Sequence, residues 1–153
     1  MSRASVLLLA VILCSCGTST PNDIQGIDGP WFAQLNNGDG TSAFAFSATL
    51  TQANGSAVNV SNLQFASVLT CFNSSTHQVG TFSVTGTTNG IAVGTFTLTI
   101  TAPSSGAMNN QLSLEGARTS DGSISGTWSL TGQPGCAGAS GTFTMRLPHS
   151  DPP

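Results

Sequence analysis

Between residues 92 and 101, apolar and hydroxyl side chains take turns. In TFTLTIT (95–101), Phe96, Leu98 and Ile100 fall on one side of an extended chain, and Thr95, Thr97, Thr99 and Thr101 fall on the other. This two-residue period recurs from Gly29 to Leu147, and no stretch there holds the 3.6-residue period of an amphipathic helix. It sorts Phe44, Phe46, Ala48 and Leu50 onto one face. It does the same for Phe82 with Val84, Leu112 with Leu114, Ile124 with Trp128 and Leu130, and Phe143 with Met145 and Leu147. A chain written this way buries one face of a sheet. Its many threonines suit the solvated face, where a β-branched hydroxyl side chain is at ease.

Eight strands follow, at about 30–36, 43–52, 56–67, 78–87, 92–101, 111–119, 123–131 and 141–147. The third changes phase, from Val58 and Val60 to Leu63 and Phe65, so a bulge is expected near Ser61–Asn62. Three connections are short and end in Asn-Gly or Asp-Gly: ANG (53–55), TNG (88–90) and SDG (120–122). Three-residue loops keep the faces consistent, pairing Leu50 with Val58, Phe82 with Phe96 and Leu114 with Trp128. Gly55, Gly90 and Gly122 would then take the left-handed conformation. The other four connections are longer, at 36–41, 69–77, 102–110 and 132–140. In an up-and-down meander, the short turns gather at one end and the long loops at the other. The expected fold is therefore all-β, an antiparallel eight-stranded small barrel, with a flattened β-sandwich as the alternative.

A phrase recurs four times: GTFSVTG from Gly80, GTFTLTI from Gly94, GTWSLTG from Gly126 and GTFTMRL from Gly141. In each, glycine stands where a strand begins or bends, threonine faces water, and the aromatic faces inward. The repeat reads as strand construction rather than as a binding motif.

The chain has 153 residues, enough for one domain, with three arginines, no lysine, six acidic residues and a net charge of −3. Without a basic patch to follow phosphates, nucleic acid is not an expected partner. The first sixteen residues, MSRASVLLLAVILCSC, set Arg3 before an apolar run that is too short to span a bilayer, which takes roughly 20 residues. That is the layout of a secretory signal. LCSC (13–16) resembles the lipobox of bacterial lipoproteins, with Leu13 at −3, a small residue at −1 and Cys16 as the residue that receives the lipid. The resemblance implies a signal peptide over 1–15 and membrane attachment through Cys16. The lack of Asp after that cysteine favours the outer membrane of the cell envelope. Residues 16–28 then form the lipidated cysteine and a polar tether, 29–147 the barrel, and 148–153 a proline-rich tail.

The cysteines left in the mature domain, Cys71 and Cys136, both lie in long loops at the same end, and an oxidising envelope would pair them. Closing a loop of about 65 residues contributes about 4 kcal/mol in the chain-entropy model.

Catalysis finds little purchase. Asp23 and Asp28 fall in the tether, Asp121 in a turn and Asp151 in the tail, while Glu115 faces outward. Asp39 in NGDGT lacks the companion oxygen ligands of a calcium loop, and His77 has no second ligand at zinc spacing. No metal, cofactor or catalytic residue is expected. The layout resembles lipocalins and avidin-type barrels, which implies one small ligand at the mouth, walled by Trp31, Phe44, Phe96 and Trp128. For each of the four, an ordinary place in the core competes with that role. The main expectation is a structural or interaction module of the envelope, with an unidentified envelope protein or small ligand as partner.

Overall fold

The computed structural model describes residues 24–66, 71–72, 76–103 and 108–148. Eight strands run in order: β1 (Gly29–Asn37), β2 (Ser42–Gln52), β3 (Ala57–Phe65), β4 (His77–Thr88), β5 (Ile91–Ala102), β6 (Asn110–Arg118), β7 (Ile124–Thr131) and β8 (Ser140–Arg146). Each pairs antiparallel with the next, and β8 returns to β1 from Phe32↔Arg146 to Asn37↔Gly141. The sheet is a closed barrel in sequence order, so the flattened sandwich is set aside. Short turns lie at one end and long loops at the other, as the meander requires.

The inward-facing residues fill the barrel. Phe46, Phe82, Phe96, Leu98, Ile100, Leu112, Phe143 and Met145 are all sealed from solvent. Large and small residues alternate to fit the narrow interior. Gly116 faces Phe96, Gly126 faces Phe143, and Gly141 faces Trp128 across the strand pairs. These glycines are chosen for close approach, not for an unusual backbone. A Cβ on Gly94, Gly126 or Gly141 would stand 2.1, 2.0 or 1.9 Å from a carbonyl oxygen of the neighbouring strand. The recurring Gly-Thr-aromatic phrase thus places a gap and a ring at successive inward positions.

The hairpins differ in their details. Leu114 pairs with Trp128 and Phe82 with Phe96, as expected. Leu50 pairs with Val60 rather than Val58, because the loop moves by one residue to 54–56, closed by the Ala53 N–H donating to the Ala57 carbonyl. Val58 is then free to sit against Gly80 of β4, where a side chain would crowd it at 3.2 Å. The β4–β5 turn has two residues rather than three. Asn89 and Gly90 both have positive φ, 52° and 75°, the primed geometry that matches strand twist. The extra residue that keeps the faces aligned sits further down the strand, as a bulge between Val84 and Gly86. In β3, the register shifts opposite Ser47–Thr49, and Asn62 takes φ 52°, so the phase change is a bulge.

Closure is uneven around the ring. β4 and β5 stay paired from His77↔Thr101 to Thr88↔Ile91. By contrast, β3 and β4 share two residue pairs, Ala57↔Thr81 and Val58↔Gly80.

The expected tether over 16–28 is amended at its end. Gln25 forms a parallel bridge with Ile91, and Ile27 is fully buried. The chain from Gln25 to Asp28 therefore crosses the short-turn end as a strap before β1 begins. Cys16, the lipobox and the tail beyond Pro148 lie outside the described residues.

Candidate functional site

The mouth at the long-loop end is built around the Cys71–Cys136 disulfide, whose Cα atoms are 5.7 Å apart. It joins the β3–β4 connection to the β7–β8 connection. Asn110, at the start of β6, holds the same two loops. Its amide nitrogen donates to the Cys71 carbonyl at 2.9 Å, and its amide oxygen accepts from the Gln133 N–H at 3.1 Å. Gly132 has φ 141°, and a Cβ there would stand 2.3 Å from that same oxygen, so glycine is needed for the loop to reach Asn110.

The disulfide carries Phe72 into the mouth, where it is only 6% exposed. Its ring stacks on Phe65 at 5.2 Å between centroids. Phe65 meets Phe46 edge-on at 5.8 Å, and Phe44 meets Trp128 edge-on at 5.4 Å. Such pairs add about 0.5–1.5 kcal/mol each beyond the area they bury. The Trp128 indole N–H donates to the Asn36 carbonyl at 2.9 Å, so its polar group is already satisfied. What remains open is a cleft of about 240 Å³, lined by Asn37, Ser42, Phe44, Phe72, Trp128 and Leu130 among others. Ligand sites for drug-sized molecules span roughly 300–1,000 Å³.

The four residues expected to wall one ligand site do not meet. Phe44 and Trp128 are at the mouth. Phe96 is packed in the sealed interior, and Trp31, 1% exposed, is tied to the strap at the opposite end. The inside/outside pattern places a residue on a face but not at a height, so the sequence does not separate these four. The sequence does not mark Phe72, because a loop has no period to read; its only signal is an apolar ring next to Cys71.

At the short-turn end, the strap is bonded to the β4–β5 turn and to the end of β2, and Arg118 links it to the β6–β7 turn. The Gln25 N–H donates to the Gly90 carbonyl, and the Ala92 N–H donates to the Gln25 carbonyl. The Gln52 N–H donates to Asp28, and the Trp31 indole donates to the Ile27 carbonyl at 2.7 Å. Arg118 completes the closure from inside the barrel. It is 2% exposed, and its guanidinium donates to the carbonyls of Gln25, Gly26 and Gly122. It also lies 5.6 Å from the centroid of the Trp31 ring, a cation–π contact. Among the described residues, its Nη2 has no hydrogen-bond partner. Burial lowers its pKa, because the charged form loses water. The alternation that turns Leu112 and Leu114 inward turns Arg118 inward too, so sequence carried this signal.

The two turn aspartates serve their own loops. Asp121 accepts from the Thr119 hydroxyl and from the Ser123 N–H and hydroxyl, which brings its pKa down to about 2. Asp39 accepts from the Thr41 hydroxyl and N–H, which also lower its pKa. His77 and Glu115 are exposed. Among the described residues, no group of three or more His, Cys, Asp or Glu side chains could hold a metal ion. The chain matches no family model, no curated protein and no solved structure.

Proposed function

We propose that the chain is a lipid-anchored protein of the bacterial envelope, attached through Cys16, whose barrel presents its long-loop end to another envelope component. The observation that supports this reading is the strap. Chain arriving from Cys16 enters at the short-turn end, where Gln25, Asp28 and Arg118 fasten it to the turns. The cystine-linked loops then face away from the anchor. A disulfide between loops fits an oxidising compartment. A filled interior fits a rigid module that works through its surface, and the engagement of Asp39 and Asp121 in their own turns argues against acid–base chemistry. Residence in the outer membrane is part of the proposal.

Metabolic labelling with a palmitate analogue tests it. The native protein should take up label and fractionate with outer membranes, and Cys16→Ala should abolish labelling. Labelling that survives that change, or a native protein that stays unlabelled, would refute the anchor.

A second reading rests on the mouth cleft, where Phe44 and Trp128 leave about 240 Å³ open beside Phe72. A small apolar ligand held there would appear as added mass in native mass spectrometry of protein purified from the periplasmic side. A bare mass would leave the interaction reading alone.

A further inference from the structure

The outer wall is mostly hydroxyl-bearing, but the β1–β8 pair departs from that pattern. Phe32 and Arg146 are directly opposed across the two strands, so both leave the same side of the sheet with Cβ atoms about 5 Å apart. Gln34 opposes Thr144 next to them. Phe32 is 45% exposed, a large ring left in water. These residues and Asn36 line a cleft of about 420 Å³, within the roughly 300–1,000 Å³ of small-molecule sites. Arg146 also borders a second cleft of about 490 Å³ around the β6–β7 turn.

Charge narrows what this cleft can hold. The chain has three arginines and no lysine. Arg118 is sealed beneath the strap, so Arg146 is the cation that the described wall offers to solvent. Among the described residues, no side chain or carbonyl accepts a hydrogen bond from its guanidinium. The acid that feels its charge is Asp121, and there Arg146 ranks last among the causes of the lowered pKa. A guanidinium fork matches the two oxygens of a carboxylate, and an apolar ring can lie on Phe32. A dianion such as a phosphate ester would meet one cation on a chain of net charge −3, and so is disfavoured. We propose that the β1–β8 wall binds a small monocarboxylate bearing an apolar ring, with the carboxylate on Arg146 and the ring on Phe32.

The test is a titration of the purified protein with phenylacetate at low salt, followed in two-dimensional amide spectra. Saturable shifts confined to 32–36 and 142–146 are expected. Arg146→Gln should weaken binding about tenfold or more, the scale of a lost charged hydrogen bond, and Phe32→Ala should also weaken it. Both residues are on the surface, so the variants should keep the native spectrum elsewhere. Neutral 2-phenylethanol should give no saturable shift. The proposal fails if phenylacetate does not saturate, if Arg146→Gln binds it equally well, or if 2-phenylethanol or phenyl phosphate binds as tightly. None of these results bears on lipidation at Cys16, so this site and the anchor stand or fall separately.

Discussion

At the short-turn end the stopper is backbone: the strap from Gln25 to Asp28 is bonded to the β4–β5 turn and the end of β2 and is gripped from below by Arg118. At the long-loop end the stopper is a side chain, Phe72, pushed into the mouth by the Cys71–Cys136 disulfide and steadied by Asn110. One closure depends on hydrogen bonds that hold at any redox potential; the other depends on an oxidised cystine. The barrel therefore has one end that chemistry in its compartment can release and one that it cannot. The end closed by the cystine also carries the mouth cleft of about 240 Å³.

The largest expected effect comes from the wall both ends share. Gly126→Ala sets a Cβ 2.0 Å from the Glu115 carbonyl oxygen, a backbone atom with no rotamer to move. A loss of more than about 4 kcal/mol is expected, with both ends opening together. A urea melt resembling that of the native protein would show that the strands can separate at no cost.

Next, Cys136→Ser should separate the two ends, with a loss of about 4 kcal/mol from the unfolded-state entropy of the open loop. Amide hydrogen exchange should quicken at Asn110 and Gln133 while Gln25 and Ala92 stay protected. Equal loosening at both ends would mean that the closures are coupled.

Arg118 gives the reverse case. Arg118→Ala removes the guanidinium donor from the carbonyls of Gly26 and Gly122, leaves the Gln25 carbonyl with the Ala92 N–H alone, and should cost about 2–3 kcal/mol. Arg118→Met fills most of the space and removes a buried charge, so its loss should be smaller. In both variants, exchange should quicken at Gln25 and Ala92 and not at Asn110. A methionine variant as unstable as the alanine one would assign the loss to the guanidinium's hydrogen bonds rather than to the space it fills.

The smallest effect concerns the turn aspartates. Asp121 has a folded pKa of about 2, below its unfolded value of 3.8. A depressed carboxyl stabilises the fold above its unfolded pKa and loses that contribution as pH falls through the folded one. Stability should therefore decline from about pH 4 to pH 2, and the decline should be shallower in Asp121→Asn. Asp39→Asn should act in the same direction at the other end, because its pKa is lowered too.

Much of this was legible in the sequence. Alternation marked most of the inward set, and Gly-containing turns separated short connections from long ones; Val84, expected inward beside Phe82, is instead 50% exposed next to the Val84–Gly86 bulge. The placing of Cys71 and Cys136 in loops of one end foretold the disulfide. Three things were hidden for physical reasons. Register depends on where a bulge falls, so the extra residue of the β4–β5 hairpin went to Val84–Gly86 instead of the turn. Height along the barrel has no period, so Trp31 and Trp128 looked like neighbours while lying at opposite ends. The strap has too few residues for a pattern, and only Ile27, an apolar residue among polar ones, marked it as buried.

The two-pair join between β3 and β4 makes the ring a bracelet with a light clasp. Once undone, it becomes a ribbon with two free borders, one along Ala57–Phe65 and one along His77–Thr88, each ready to accept a strand from another copy. The connection that carries Cys71 runs from one side of that clasp to the other. The cystine moors that connection to the β7–β8 loop on the far side of the mouth, so the link that spans the clasp is itself held at a third point.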